Sequence, residues 1–258
     1  MGQLQGGEHL TRLEYAINYG IKTGFNDAFI IDNQTKDALV ADDPRSAEII
    51  KPVLRGRDIQ RYRAKWAKIW LIDTHNGYDG VPAINIDDYP AIKVHLDGHY
   101  EQLEKRYDKG RTPYNLRNCA YHTEFVKEKL FWIDLTEEGR FAYDIGEMFC
   151  VNSAYMMTGA SLKFLCAVLN SALTTWFMRN SALNSGMGTT RWVRSTVDRI
   201  PIPIVDAMTE QPFIQIMDEI LYPRYEKADA TKLKADLGDL VYSLYRLTED
   251  EVRVIISN

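Results

Sequence analysis

The sequence predicts an α+β domain of mixed α/β character, followed by a helical C-terminal segment. Three observations carry that prediction. Short apolar runs bounded by Gly, Asn and Asp recur along the first part of the chain, in the manner of strands and turns. Two longer segments, Asp88 to about Tyr107 and Leu162 to Met178, place apolar residues at helical spacing instead. After Pro201 and Pro203 the pattern turns helical and stays so. That change sets a boundary near Val205, with a first part over 1–205 and a helical appendage over 206–258.

Taken in order, Glu14 to Tyr19 alternates as a strand. Gly20 and Gly24 bracket a turn before a second strand, Ala28 to Ile31, and Asp32-Asn33 signals another turn. Asp43-Pro44 opens a helix, with Pro suited to a first helical position, and that helix closes near Lys51-Pro52. Trp70-Leu71-Ile72 is a short buried strand. Tyr89, Ile92, Leu96, Tyr100, Leu103 and Tyr107 line one face of a helix, and Lys109 to Pro113 is a loop. Leu130 to Ile133, Phe141 to Ile145 and Ala154 to Met157 read as strands. Ser161 stands as the cap of a helix that runs to about Asn180. Asn184 to Thr190 is a polar, Gly-rich loop. Ala230 to Leu247 is the longest later helix, and Thr248 to Glu251 has the form of a capping box.

With 258 residues, 45% of them apolar, the chain is long enough to bury a sizeable core. Met1 to Leu10 is polar and Gly-rich, so no signal peptide is expected. The apolar stretch 162–178 contains Asn170, Ser171 and two threonines, which suits a core helix and not a membrane span. Three cysteines without a CxxC pair suit reduced thiols, and hence a cytoplasmic location.

The net charge is −5, and residues 201–258 hold all of it, with 11 acidic against 6 basic side chains. Arg45 to Lys68 holds eight basic and two acidic residues, and Lys105 to Leu130 holds seven and three. Phosphate binding depends on the local potential of one face and not on the total. Charge runs of this kind also serve as plain solvated faces.

Catalytic motifs are hard to find. An adenine-N6 methyltransferase needs an Asn/Asp-Pro-Pro-Tyr/Phe loop for the flipped base, and the chain has no Pro-Pro pair. The Gly20/Gly24 segment lacks the form of a cofactor-binding turn. No lysine follows an acidic residue by two positions, as the metal site of a common nuclease requires. His95 and His99 have i, i+4 spacing but no Glu between them for a zinc hydrolase. Two exposed histidines are the simpler expectation, and no metal site is assigned. No catalytic residue is assigned either. A divergent nuclease using Asp73, Asp134 and Glu137 stays open as an alternative.

Binding chemistry is richer. Arg55, Arg57, Arg61 and Arg63 lie beside Tyr62, Trp66 and Trp70; arginine reads guanine or grips phosphate. Arg57 with Asp58 reads nearly as well as a pair that closes a turn. Lys109, Arg111, Asn115 and Arg117 sit in a loop rich in donors and tyrosine. Thr189, Thr190, Arg191 and Arg194 follow the Gly-rich loop, where small residues allow close approach to phosphate; a simple connector is the alternative there. Lys22, Thr23, Asn26 and His75 are weaker candidates, since turn chemistry alone accounts for Gly and Asn at such places.

Three segments recur in a telling order: Gly20-Ile21-Lys22-Thr23-Gly24-Phe25-Asn26-Asp27-Ala28-Phe29-Ile30-Ile31, then Ile49-Ile50-Lys51-Pro52-Val53-Leu54-Arg55-Gly56-Arg57-Asp58-Ile59, then the run Leu165 to Ser171 followed by a Gly-rich loop and Ile200-Pro201-Ile202-Pro203. Together they resemble the TaqI-like C-terminal specificity domain of type IIG restriction-modification enzymes and related adenine-N6 DNA methyltransferases, from about Tyr15 onward. The resemblance implies a DNA target recognition domain that binds double-stranded DNA and positions it for a methyltransferase domain, located upstream in the same chain or on a separate subunit. It implies S-adenosylmethionine and Mg²⁺ for those other domains only, with no cofactor in this chain and no membrane partner. A protein-interaction module that binds an acidic partner is the other alternative.

Overall fold

The computed structural model describes residues 8–9, 15–181, 190–223 and 230–257. The described chain begins with strand β1 (Glu8–His9) and β2 (Ala16–Tyr19). Asn26–Phe29 is a single helical turn, α1, and the strand expected over Ala28 to Ile31 starts only at β3 (Ile30–Asp32). Asp32 then caps a helix, α2 (Asn33–Asp42), its side chain accepting from the Thr35 N–H at 2.8 Å. The Asp32-Asn33 signal is thus a helix start and not a turn. The helix expected after Pro44 is one turn, α3 (Ser46–Ile49), and the chain extends at once into β4 (Ile50–Leu54).

After β5 (Ile69–Ile72), the long expected helix divides into α4 (Pro90–Asp97) and α5 (Tyr100–Lys105), broken at Gly98-His99. Tyr107 falls beyond α5 and is 98% exposed, so it belongs to no core face. Next come β6 (Lys129–Trp132), β7 (Leu135–Thr136), β8 (Ala142–Asp144), β9 (Phe149–Cys150) and β10 (Tyr155–Thr158). The run after Ser161 is two helices, α6 (Leu162–Leu169) and α7 (Ala172–Ser181). Ser161 has φ +53° and makes no side-chain cap bond. Asn170 stops α6 because its buried amide bonds the Phe141 backbone both ways, at 3.0 and 2.8 Å. Ser171 starts α7 by accepting from the Thr174 N–H at 3.1 Å. The remaining elements are β11 (Thr190–Arg191), α8 (Arg194–Val197), β12 (Pro201–Ile202), α9 (Ala207–Leu221), α10 (Ala230–Leu244) and α11 (Glu249–Ile256). The Thr248/Glu251 capping box is present at the start of α11.

Two four-stranded sheets organise these pieces. One runs β2-β10-β6-β8 and is antiparallel throughout; the other runs β3-β5-β4-β9, with β4 and β9 parallel. The central strands β10 and β6 of the first sheet are buried on both faces. Leu130, Trp132, Tyr155 and Met157 enter one core, packed on α6 and on Phe213, Met217, Leu237, Val241 and Ile255 of the late helices. The alternate residues Phe131 and Met156 enter a second core built on the other sheet. The two-residue period of a strand divides its side chains between two apolar layers, which is why β6 and β10 read as continuous apolar runs. Among the described residues, no helix is long and apolar enough to cross a membrane.

Candidate nucleic-acid interface

The chain leaves α5 at Arg106, a residue 7% exposed. Its guanidinium donates to the carbonyl oxygens of Thr23, of Asp108 at 3.1 Å, of Pro113 at 2.9 Å and of Asn115 at 2.5 Å. It also lies 4.6 Å from the centre of the Phe29 ring. Burial lowers its pKa to about 10, which leaves it charged at neutral pH. One cation therefore folds the 107–117 loop around itself and pins it to the turn at Thr23. Gly24 meets the loop with φ +71°, and a Cβ there would stand 3.1 Å from the Cβ of Asp108.

This contact brings together candidates far apart in sequence. Lys22 and Arg117 both pair with the Asp108 carboxylate, at 2.8 and 3.1 Å. The Lys22 hydrogen bond, then the charges of Lys22 and Arg117, hold that carboxyl below its ordinary range. Arg111 is exposed and its side chain meets no partner among the described residues; Lys109 donates to the Glu104 carbonyl at 2.5 Å. Two hollows join here. One, of about 800 Å³, is lined by Asn76, Tyr107, Lys109, Arg111, Arg117 and Asn118 among others. The other, of about 370 Å³, includes Tyr19, Lys22, Arg117, Asn118 and Asn152. They share Arg117 and Asn118 as a common rim.

Beyond the smaller hollow, Tyr19 packs on Tyr155 with ring centres 4.5 Å apart. The Tyr155 hydroxyl is pushed up by burial, and among the charges acting on it are Asp134, which raises its pKa, and Arg191, which lowers it. Arg191 is exposed and pairs with Asp134 at 3.2 Å. Arg194 reaches the Ile17 carbonyl on edge strand β2 at 3.5 Å and pairs with Asp198 at 3.5 Å. Lys22, Lys109, Arg111 and Arg117 thus form one cationic group, and Arg191 and Arg194 a second beside β2.

Other candidates are spent internally. Arg55, not Arg57, holds Asp58, through bonds of 3.0 and 3.0 Å that close a 3₁₀ turn over Gly56–Asp58. Arg57 is left exposed, without a partner among the described residues. The Gly56 N–H donates to Ser153 Oγ at 3.0 Å, which seats this turn next to Asn152. Arg61 donates to the Asn170 carbonyl at 2.5 Å and ties its loop to the end of α6. Arg63 is exposed and unpaired among the described residues. Asn115 is buried, accepting from Thr112 Oγ1 at 2.7 Å and donating to the Ile84 carbonyl at 2.9 Å. Thr23 is buried and bonds Asn26 at 2.6 Å. Thr190 is buried in β11 against Thr136, and Thr189 lies outside the described residues, as do the residues before it in the Gly-rich stretch expected from Asn184. Thr23, Asn115 and Thr190 thus lie inside, and Arg55 and Arg61 are half-buried with internal partners.

His75 is half-buried against Tyr78 and His122, and burial lowers its pKa. Behind it His122 pairs with buried Asp73 at 2.9 Å. Among the described residues, no group of three or more His, Cys, Asp or Glu is placed to hold a metal ion. Asp73 is taken by His122 and Asp134 by Arg191, so the nuclease alternative has no assembled site there. His95, expected to be exposed, is half-buried and bonds the Ala28 carbonyl at 3.0 Å. Arg106, Asn76, Asp108 and Asn118 carry the architecture of the hollows and were not singled out from the sequence. The nearest sequence signal was Gly110, a glycine amid large polar residues.

The fold recurs within parts of two solved restriction-modification enzymes. It is shared with the type IIL restriction-modification enzyme MmeI, solved in complex with DNA, at a TM-score of 0.68 and 13% identity over 97% of this chain and 37% of that one. It is shared with the type IIG restriction endonuclease BpuSI at a TM-score of 0.54 and 15% identity, over 94% of this chain and 32% of that one. Residues 51–202 match the model of the TaqI-like C-terminal specificity domain, and the chain belongs to that family. It is also similar to the type II methyltransferase M.BstVI of Geobacillus stearothermophilus, 22% identical over 244 residues, which are 93% of this chain. The chain spans about 40% of the length of that relative.

Proposed function

We propose that this chain is a sequence-specific reader of double-stranded DNA within a restriction-modification enzyme. Separate domains would methylate adenine at N6 and, in a type IIG arrangement, cut. The observation that carries the reading is the Arg106-centred loop, which gathers Lys22, Lys109, Arg111 and Arg117 around two adjoining hollows. Cations placed so around an open groove replace counterions on phosphates, while polar side chains between them face base edges. Arg57, Arg63, Arg191 and Arg194 extend the contact along the neighbouring surface. The first part, 1–205, does the reading. The acidic helices of 206–258 pack into the other core, and their charge keeps that side of the molecule away from phosphate.

S-adenosylmethionine and Mg²⁺ are assigned to the catalytic domains and not to this chain. The test is retention of a randomised duplex library by the purified chain at low salt, with sequencing of the bound fraction. Enrichment of one short motif is the expected result. Retention without enrichment reduces the chain to a non-specific binder, and no retention favours a protein-interaction module.

A further inference from the structure

Where the two hollows meet, two asparagines from distant loops form a relay. The backbone N–H of Arg111 donates to Asn76 Oδ1 at 2.7 Å. Asn76 Nδ2 in turn donates to Asn118 Oδ1. The direction of this relay is fixed by chemistry, because a backbone N–H only donates. Asn76 must therefore turn its oxygen to Arg111, which leaves its nitrogen for Asn118, which must answer with its own oxygen. The Asn118 Nδ2 group has no partner among the described residues, and the residue is exposed on the rim of both hollows. Gly110 makes the contact possible: a Cβ there would stand 2.6 Å from both Cγ and Oδ1 of Asn76.

We propose that Asn118 is a base-reading residue, oriented by Asn76, and that it selects adenine. Asn118 offers the groove a free N–H donor and the second lone pair of an oxygen held in place. Adenine presents the complement in the major groove, an N7 acceptor beside an N6 donor. Guanine presents two acceptors there, so its O6 would face the asparagine oxygen with no proton between them. Arg117 on one side and Arg111 across the relay supply the phosphate contacts that hold a duplex in register, and the fixed amide removes the freedom to turn toward the wrong base. The inference rests on the DNA-reading function proposed above.

The experiment repeats the library selection with the wild-type chain, Asn118→Ala, Asn118→Asp and Asn76→Asp. The wild type should enrich a motif containing an adenine whose preference falls roughly tenfold or more in Asn118→Ala, with the other positions unchanged. Asn118→Asp, an acceptor only, should move that position toward cytosine, which offers its N4 donor. Asn76→Asp, also an acceptor only, should capture the Asn118 nitrogen, turn the amide and relax the same single position while Asn118 stays in place. Equal thermal stability of the variants places the effect in the groove. A clear wild-type motif that all three variants reproduce at full strength overturns the assignment of Asn118, as does relaxation spread over every position. A wild type that enriches no motif overturns the reading function itself, and the assignment with it.

Discussion

The guanidinium of Arg106 donates to the backbone carbonyl of Thr23, 83 residues earlier in the chain. That bond joins the end of α5 to the turn before α1, and the cationic loop is built on it. A buried arginine with carbonyl partners acts as a mould: the loop takes the shape that serves its two terminal nitrogens, while the buried Nε meets no partner among the described residues.

Replacing this residue tests the mould. Arg106→Ala removes the donor of the Thr23, Asp108 and Pro113 carbonyls and one of the two donors of the Asn115 carbonyl, which keeps the Gly110 N–H, and should cost about 3–5 kcal/mol of stability. Arg106→Lys keeps the charge but brings a compact ammonium in place of a planar fork, and should fall between the two. Urea denaturation measures both; a loss under about 1 kcal/mol in Arg106→Ala would mean that the loop holds its shape without the mould.

The surface cations should separate from the internal ones by salt dependence. Arg111→Ala and Arg191→Ala should each weaken DNA retention and lower the slope of log K against log salt by roughly 0.9, with the melting temperature unchanged. Arg55→Ala should do the reverse. It breaks a two-bond pair with buried Asp58, costs about 1–3 kcal/mol and leaves the slope alone. Titrations at several salt concentrations decide between these patterns.

Asp144 faces the fully buried Lys129 ammonium at 2.7 Å, and that lysine also donates to the carbonyls of Phe125 and Lys127. Burial pulls the lysine below its ordinary pKa, against the pull of Asp144. Asp144→Ala leaves a buried charge without its counterion and should cost about 3–5 kcal/mol. Adding Lys129→Met should recover part of that loss. Stabilities that simply add in the double variant would show that the two groups are not coupled.

His95 should titrate below its ordinary value of 6.5, because burial disfavours its charged form. The unfolded chain then binds the proton more readily than the folded one, so the stability this ring contributes is complete above about pH 6.5 and is lost as pH falls through the folded value. The unfolding free-energy advantage of wild type over His95→Gln should therefore shrink between pH 7.5 and pH 5.5. An NMR midpoint for His95 at 6.5 would remove the effect, and one above it would reverse the sign.

Much of the scaffold was legible because its signals are local. β6, β10 and the Thr248 capping box lie where short apolar runs and a Thr-x-x-Glu spacing put them. Helix α2 was hidden because it has no buried residue, so no apolar period betrays it, and its Asp32 cap looks the same as a turn residue. The basic segments were visible as composition, but composition does not say which arginine turns inward. Arg55 and Arg61 were spent by Asp58 and by the Asn170 carbonyl, partners that a sequence does not rank. Asn76 and Asn118 lie 42 residues apart, each an ordinary loop residue until the Arg106 loop brings them together.

The sheet β2-β10-β6-β8 lines both apolar cores. Neither core can lose its order while the other stands, since melting one exposes the back of the wall that supports the other. Heat, denaturant and proteases should therefore meet a single cooperative unit, in which a late helix such as α9 and the groove beside Lys22 fail together although they lie on opposite sides of that wall.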